Sequence, residues 1–148
     1  TYVSADRSKA EIERLLTRYG AEKFISGWEE GRAMIGFHMH QRLIRFYLPL
    51  PSKGDPQFRR TPGGRRKRSD EQTYQAWEQA TRQSWRALAL VIKAKLEAVS
   101  AGITEFEDEF LAHIVLPNGK TVGSWLQPQI ATASEGKKMP QLLFGPEE

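Results

Sequence analysis

Three groups of side chains in this chain have types and spacings that can do chemistry. His38 and His40 flank Met39, so on a strand their imidazoles would share a face, as in a metal site or a phosphodiesterase-type histidine pair, with Glu29 and Glu30 at the far end of the same hairpin unit. A third ligand is not evident, because His113 lies far away in sequence, and histidines beside a turn are ordinarily just semi-buried or surface groups. Glu105, Glu107, Asp108 and Glu109 form the second group, the kind of carboxylates that hold magnesium in a small metal-dependent nuclease. No lysine or histidine stands at a spacing that would activate water, and carboxylates in the first turns of a helix already complement its macrodipole. A nuclease built on Glu107, Asp108 or the histidine pair would have to lose its activity on chelation.

The third group is the run from Ser52 to Asp70, SKGDPQFRRTPGGRRKRSD. Lys53, Arg59, Arg60, Arg65, Arg66, Lys67 and Arg68 stand there against Asp55 and Asp70, a window charge of +5 in a chain of 148 residues whose net charge is +4. The rest of the molecule is therefore close to neutral. Guanidinium forks bind phosphate oxygens bidentately, and each neutralised phosphate releases counterions, so a basic segment on a neutral body fits contact with a polyanion at one place. The plainer reading is a solvated insertion. Arg65-Arg66-Lys67-Arg68 also matches a nuclear signal, a pattern with many false positives, and Gly63-Gly64 lacks the lysine-serine pair and preceding buried strand of a phosphate loop. Of the four tryptophans, which can stack bases, Trp77, Trp85 and Trp125 fall on apolar stripes and read as core, leaving Trp28 as the exposed one.

Composition narrows the classes further. With no cysteine, disulfides, thiolate zinc, iron–sulfur clusters and a cysteine nucleophile are excluded. No apolar run approaches the roughly 18 to 20 residues that span a bilayer, and the first residues carry no signal-peptide core, so a soluble cytoplasmic protein without a membrane partner is expected. The length suits one domain with a real core.

The elements that must position these groups follow from periodicity. Ile12, Leu15, Leu16 and Tyr19 predict a helix over Ser8–Tyr19, with Ser8 and Glu11 as a capping box and Gly20 at C′. The pattern then alternates: a short strand opens at Phe24-Ile25, Glu29 to Arg32 turns, and strands run over Ala33–His40 and Arg42–Leu48 around a tight turn at His40-Gln41. That turn pairs Ala33 with Leu48, Ile35 with Phe46, Phe37 with Ile44 and Met39 with Arg42 on an apolar face. Met34, Gly36, His38, His40, Leu43, Arg45 and Tyr47 take the other face. Pro49 and Pro51 stop the last strand, and the basic window, punctuated by Pro56, Pro62, Gly63 and Gly64, is expected to be a flexible loop in the absence of a partner. A long helix then runs from Ser69 or Asp70 to about Val99, with Tyr74, Trp77, Thr81, Trp85, Leu88, Ile92, Leu96 and Val99 as its buried stripe and Arg82, Arg86 and Lys93 on another side. Thr104 caps a third helix through Phe106, Phe110, Leu111 and Ile114. Thr121 opens a short fourth one broken or bent by Pro128, and Leu142, Leu143 and Phe144 form an apolar patch in a polar tail.

Two stretches, SKAEIERLLTRYGAEKFISGWEEGRAMIGF with RLIRFYLPLP, and RALALVIKAKLEAVSAGITEFEDEFLAHIVLPNGKTVGSWLQPQI, resemble a family of uncharacterised proteins encoded by bacteriophages and prophages. The resemblance covers roughly half of the chain and omits the basic window. It implies a viral or prophage origin and action in a bacterial cytoplasm, and it transfers no catalytic residue.

The expectation is therefore an α+β fold, a single domain over residues 1–148 with a flexible basic insertion at about 52–70. Its expected role is that of a non-catalytic nucleic-acid-binding protein that needs no cofactor or metal. Arg59, Arg60, Arg65, Arg66, Lys67 and Arg68 would contact the phosphates of DNA or RNA, helped by Arg42 and Arg45 on the outer sheet face and by Arg82 and Arg86 on the long helix. The alternative is an interaction or counter-defence protein that binds a host protein or a nucleotide signal, with homo-oligomerisation among its options. Its interface would come from the long helix and the apolar tail.

Overall fold

The computed structural model describes residues 2–136 and 139, with side chains from Asp6 onward. Its elements are α1 (Tyr2–Arg18), β1 (Lys23–Glu29), β2 (Arg32–Met39), β3 (Arg42–Pro49), a 3-10 turn (Pro56–Arg59), α2 (Asp70–Ser100), a single-turn α3 (Phe106–Glu109), a second 3-10 turn (Leu111–His113) and α4 (Val122–Gly136). The arrangement is α+β: a three-stranded antiparallel meander in the order β1-β2-β3 with helices on one face.

The hairpin registers follow from side-chain alternation. Ala33 pairs with Leu48, Ile35 with Phe46, Phe37 with Ile44 and Met39 with Arg42, as the apolar pattern requires. Both hairpins close on two residues with positive φ: Glu30 and Gly31 at 46° and 77°, His40 and Gln41 at 50° and 64°. Those values match the twist of flanking strands, which is why two-residue turns favour them. The second turn adopts them with no glycine at all. Its geometry also parts the two histidines, because His40 leaves the strand and lays its ring 4.6 Å from that of Phe106, on the helix-covered side. His38 continues the outer face with Met34 and Gly36, so the expected shared face does not form.

The core lies between the sheet and the helices. Ala33, Ile35, Phe37, Met39, Ile44 and Phe46 meet Ile12, Leu15 and Leu16 of α1, Trp85, Leu88, Ile92 and Leu96 of α2, and Phe106, Phe110 and Ile114. Phe110 sets its edge against both Phe37 and Phe46, at 6.0 and 6.2 Å between centroids. Helix α1 starts before Ser8, so Ser8 is interior and the capping box is not its start. Its end is as the sequence indicates: Gly20 takes φ 99°, the Ala21 N–H donates to Leu16 O at 2.9 Å and the Gly20 N–H to Thr17 O at 3.1 Å. Helix α2 begins at a capping box in which Ser69 and Gln72 exchange side-chain-to-backbone bonds.

The C-terminal third departs from expectation. Thr104 does not cap a helix, because its hydroxyl donates to Glu109 Oε1 at 3.0 Å, and the segment is one α-turn followed by a 3-10 turn. Ile114 instead bridges to Ile44, and the Val115 N–H donates to Leu43 O at 2.8 Å, so this stretch guards the outer edge of β3. Helix α4 is capped by Thr121, whose hydroxyl accepts from the Ser124 N–H at 3.1 Å, and it runs through Pro128 to Gly136 without breaking. Gly123 lets it approach closely, since a Cβ there would stand 3.0 Å from Ala112 O. Leu142, Leu143 and Phe144 lie outside the described residues. No helix among the described residues is long and apolar enough to cross a membrane.

Candidate nucleic-acid interface

The basic window has local structure that its proline and glycine punctuation conceals. Asp55 caps the first 3-10 turn by accepting from the Gln57 N–H at 3.0 Å. That turn delivers Phe58, which is 7% exposed, into contact with α2 and so anchors the segment. Beyond it the chain folds back on itself. Thr61 donates its N–H to Arg66 O at 2.9 Å, Arg68 donates to Arg59 O at 2.6 Å, and Arg60 and Lys67 form an antiparallel bridge. The tip is a turn through Pro62 and Gly63, closed by the Gly64 N–H on Thr61 O at 2.8 Å, and the φ of 89° at Gly63 is the reason for a glycine after that proline. Thr61 Oγ1 accepts from the Arg66 N–H at 3.2 Å. The start of the window is fastened too: the Trp77 indole donates to Pro51 O at 2.8 Å, and the Lys53 ammonium lies 4.8 Å from the Tyr74 ring centroid.

This small hairpin sets like charges against each other. Arg60 and Lys67 are directly opposed at a non-hydrogen-bonded position, where facing side chains come closest, and Arg59 stands across from Arg68. Like charges facing each other across a strand pair are destabilising by up to about 1 kcal/mol, and the Arg60 guanidinium eases this by donating through Nη1 to Gly64 O at 3.4 Å. Counterweights are few. Arg59 pairs loosely with Asp70 at 3.8 Å, while among the described residues Arg60, Arg65, Arg66 and Lys67 have no carboxylate partner. All four are exposed.

The expected contact residues thus divide. Arg65, Arg66 and Lys67 are offered to solvent, with Arg59 beside them, and Arg60, exposed as well, donates through Nη1 to Gly64 O at 3.4 Å. Arg68 is half-buried and structural, donating through Nη1 to Phe58 O at 3.2 Å. Arg45 is on the outer sheet face as expected, but it clamps Gly119 O at 2.9 Å beside the Tyr47 ring. Arg42 requires a correction. Its register opposite Met39 puts it on the helix-covered side of the sheet, and its guanidinium is neutralised by Glu107 at 2.6 Å.

The other chemical groups are absorbed by the fold. Glu109 binds the Lys95 ammonium at 3.1 Å and accepts from Thr104; these hydrogen bonds, Lys95 foremost, hold its carboxyl below the usual range. His113 stacks on Phe46 with centroids 3.9 Å apart, and burial, aided by Lys95, pushes its pKa down. No group of three His, Asp or Glu side chains among the described residues can hold a metal ion.

The structure adds residues that the charge count overlooked. The hairpin stands over α2 at Ala76 and leaves a groove on each side. One, an open cleft of about 870 Å³, places Arg60 and Gln57 against Gln79 and Gln83. The other, about 300 Å³, places Arg66 and Lys67 against Gln72, Gln75 and Gln79. Their spacing of three and four puts these glutamines on one exposed arc of α2, a pattern visible in the sequence as an amide ladder opposite the apolar stripe. Amides both donate and accept without adding charge, so cations flank a neutral polar floor.

No protein-family model, curated protein or solved structure matches this chain. The functional reading therefore rests on this surface.

Proposed function

We propose that the protein binds nucleic acid through the phosphate backbone, without catalysis, using the hairpin of residues 59–68. The observation that carries the reading is the opposition of Arg60 and Lys67, with Arg65 and Arg66 nearby and no carboxylate partner for these four among the described residues. A segment that needed only to be soluble would gain stability from alternating charge. One that opposes like charges gives up stability and recovers it when an anion bridges them. The glutamine floor supports the same reading, because phosphate and sugar oxygens accept from amides as well as from guanidinium groups. The resemblance to phage and prophage proteins makes phage nucleic-acid metabolism in a bacterial cytoplasm the proposed setting.

The test is fluorescence anisotropy on labelled DNA and RNA across a salt series, comparing the native chain with the triple variant Arg65→Gln, Arg66→Gln, Lys67→Gln. Binding that weakens with salt should lose about two to three units of log–log salt slope in the variant, since each phosphate contact contributes roughly 0.7 to 0.9. Equal binding by both chains would remove the hairpin from the interface.

A second reading, an interaction protein that binds a host protein or a nucleotide signal or self-associates, draws on Trp28. This indole is 80% exposed on β1, whose outer edge has no strand partner among the described residues. A complex whose mass is indifferent to salt and which disperses on Trp28→Ala would favour it.

A further inference from the structure

A second cationic groove lies farther along α2, where α1 packs beside it. It is about 320 Å³ and is lined by Arg14 and Arg18 of α1 and by Arg86 and Lys93 of α2, with Glu11 as the lone carboxylate among its described lining residues. All four cations are exposed, and none has an ion-pair partner among the described residues. At 100° per residue, positions 72, 75, 79, 83, 86, 90 and 93 fall within about 80° of arc, so the glutamine floor beside the hairpin runs directly into this groove. Gln72 to Lys93 covers roughly 32 Å of helix at 1.5 Å per residue. One face of α2 thus carries amides from Gln72 to Gln83, with the hairpin cations beside them, and then Arg86, the exposed Leu90 and Lys93.

Resting on the nucleic-acid reading, we infer that the partner is double-stranded, gripped by the hairpin at one end of α2 and by Arg14, Arg18, Arg86 and Lys93 at the other. Two properties of the surface select a duplex over a single strand. Proteins that hold single strands present aromatic rings on which unpaired bases stack, and the one aromatic lining the three grooves, Phe58, is buried under the hairpin. A duplex instead carries closely spaced phosphates on a stiff rod, which rewards cations already held at fixed separation on a helix; a flexible strand would have to be ordered to reach both clusters. The amide floor then meets sugar and phosphate between them, with modest sequence preference.

The experiment measures binding of a 20-base-pair DNA duplex, the RNA duplex of the same sequence and each separated strand, at several salt concentrations. It uses the native chain, the hairpin triple variant and Arg86→Gln with Lys93→Gln. Both α2 positions are solvent-exposed, and circular dichroism confirms that the variant stays folded. The expected result is duplex binding at least tenfold tighter than strand binding, with the Arg86/Lys93 variant losing nearly two units of salt slope on the duplex. The DNA and RNA arms show which duplex is preferred. Single strands that bind as well as duplexes, or an unchanged slope in the Arg86/Lys93 variant while the hairpin variant fails, would overturn this inference and leave the function standing. No binding by the native chain would remove both.

Discussion

At the residue scale, the proposed function predicts that changing the Arg60–Lys67 pair moves stability and binding in opposite directions. Lys67→Glu turns a repulsive cross-strand pair into an attractive one and should stabilise the protein by about 0.2 to 1 kcal/mol in urea denaturation. The same change should weaken nucleic-acid binding about tenfold or more, read by anisotropy. A variant that loses stability would show that the pair is not in repulsion. A different pair of residues sets the acid response. His113 has its pKa lowered from the ordinary 6.5, so below that pH the unfolded chain takes up a proton that the folded ring resists, and stability falls as pH drops toward the lowered value. Glu109, lowered from 4.5, adds a second loss as pH falls through its own lowered value. Denaturation midpoints between pH 7.5 and 3 should show both, and His113→Gln should remove only the upper one. Both residues stood out in the sequence but their shifts did not, because the burial of His113 beside Phe46 and the Lys95 ammonium that acts on both groups come from packing between distant segments.

At the element scale, Phe58 anchors the hairpin to α2 while the hairpin's own hydrogen bonds close its arms. Phe58→Ala should cost about 3 kcal/mol if the site behaves as core, and nucleic-acid affinity should fall although no cation is removed. Unchanged affinity in that variant would mean that the cations act as an unstructured string. The elements differ in how legible they were. The β2–β3 register was readable because one slipped residue would exchange every side chain between core and solvent. The buried stripe of α2 was readable from Trp85, Leu88, Ile92 and Leu96 at helical spacing, but Tyr74, expected on the same stripe, is exposed. The segment after Gly102 was not, since Phe106, Phe110 and Ile114 fit a helical stripe equally well; tertiary pairing of Ile114 with Ile44 decided against it. Proline and glycine likewise hid the hairpin, because they mark turns without saying whether the arms on either side will pair.

At the scale of the whole molecule, the proposed function predicts that nucleic acid stabilises the folded protein as a ligand, through the positive charge that the free hairpin leaves uncompensated. A duplex present at about 100 times its dissociation constant should add roughly 2.7 kcal/mol, a rise of several degrees in the midpoint for a chain of this size. The triple hairpin variant should show a much smaller rise, and thermal denaturation with and without duplex measures both. An equal rise in the variant would place the ligand elsewhere on the surface. The helix layer leaves room for such an extended contact, because α1 and α2 pack side by side over one face of the sheet, and the opposite side of α2, covered by the hairpin around Ala76, is exposed beyond it.

The sequence by itself determined the α+β class, the strand pairing, the buried face of α2 and the place where charge accumulates. Each of these follows from local periodicity or from counting, and neither depends on which distant groups meet. Only the tertiary structure decided which cations are available. Strand alternation alone sets Arg42 and Arg45 on opposite faces, but their partners come from packing: Glu107 neutralises one and the Gly119 carbonyl holds the other. Arg14 and Arg18 join Arg86 and Lys93 only because α1 packs against α2. The field a polyanion meets depends on separations through space, and those are set by packing between elements that the chain order leaves far apart.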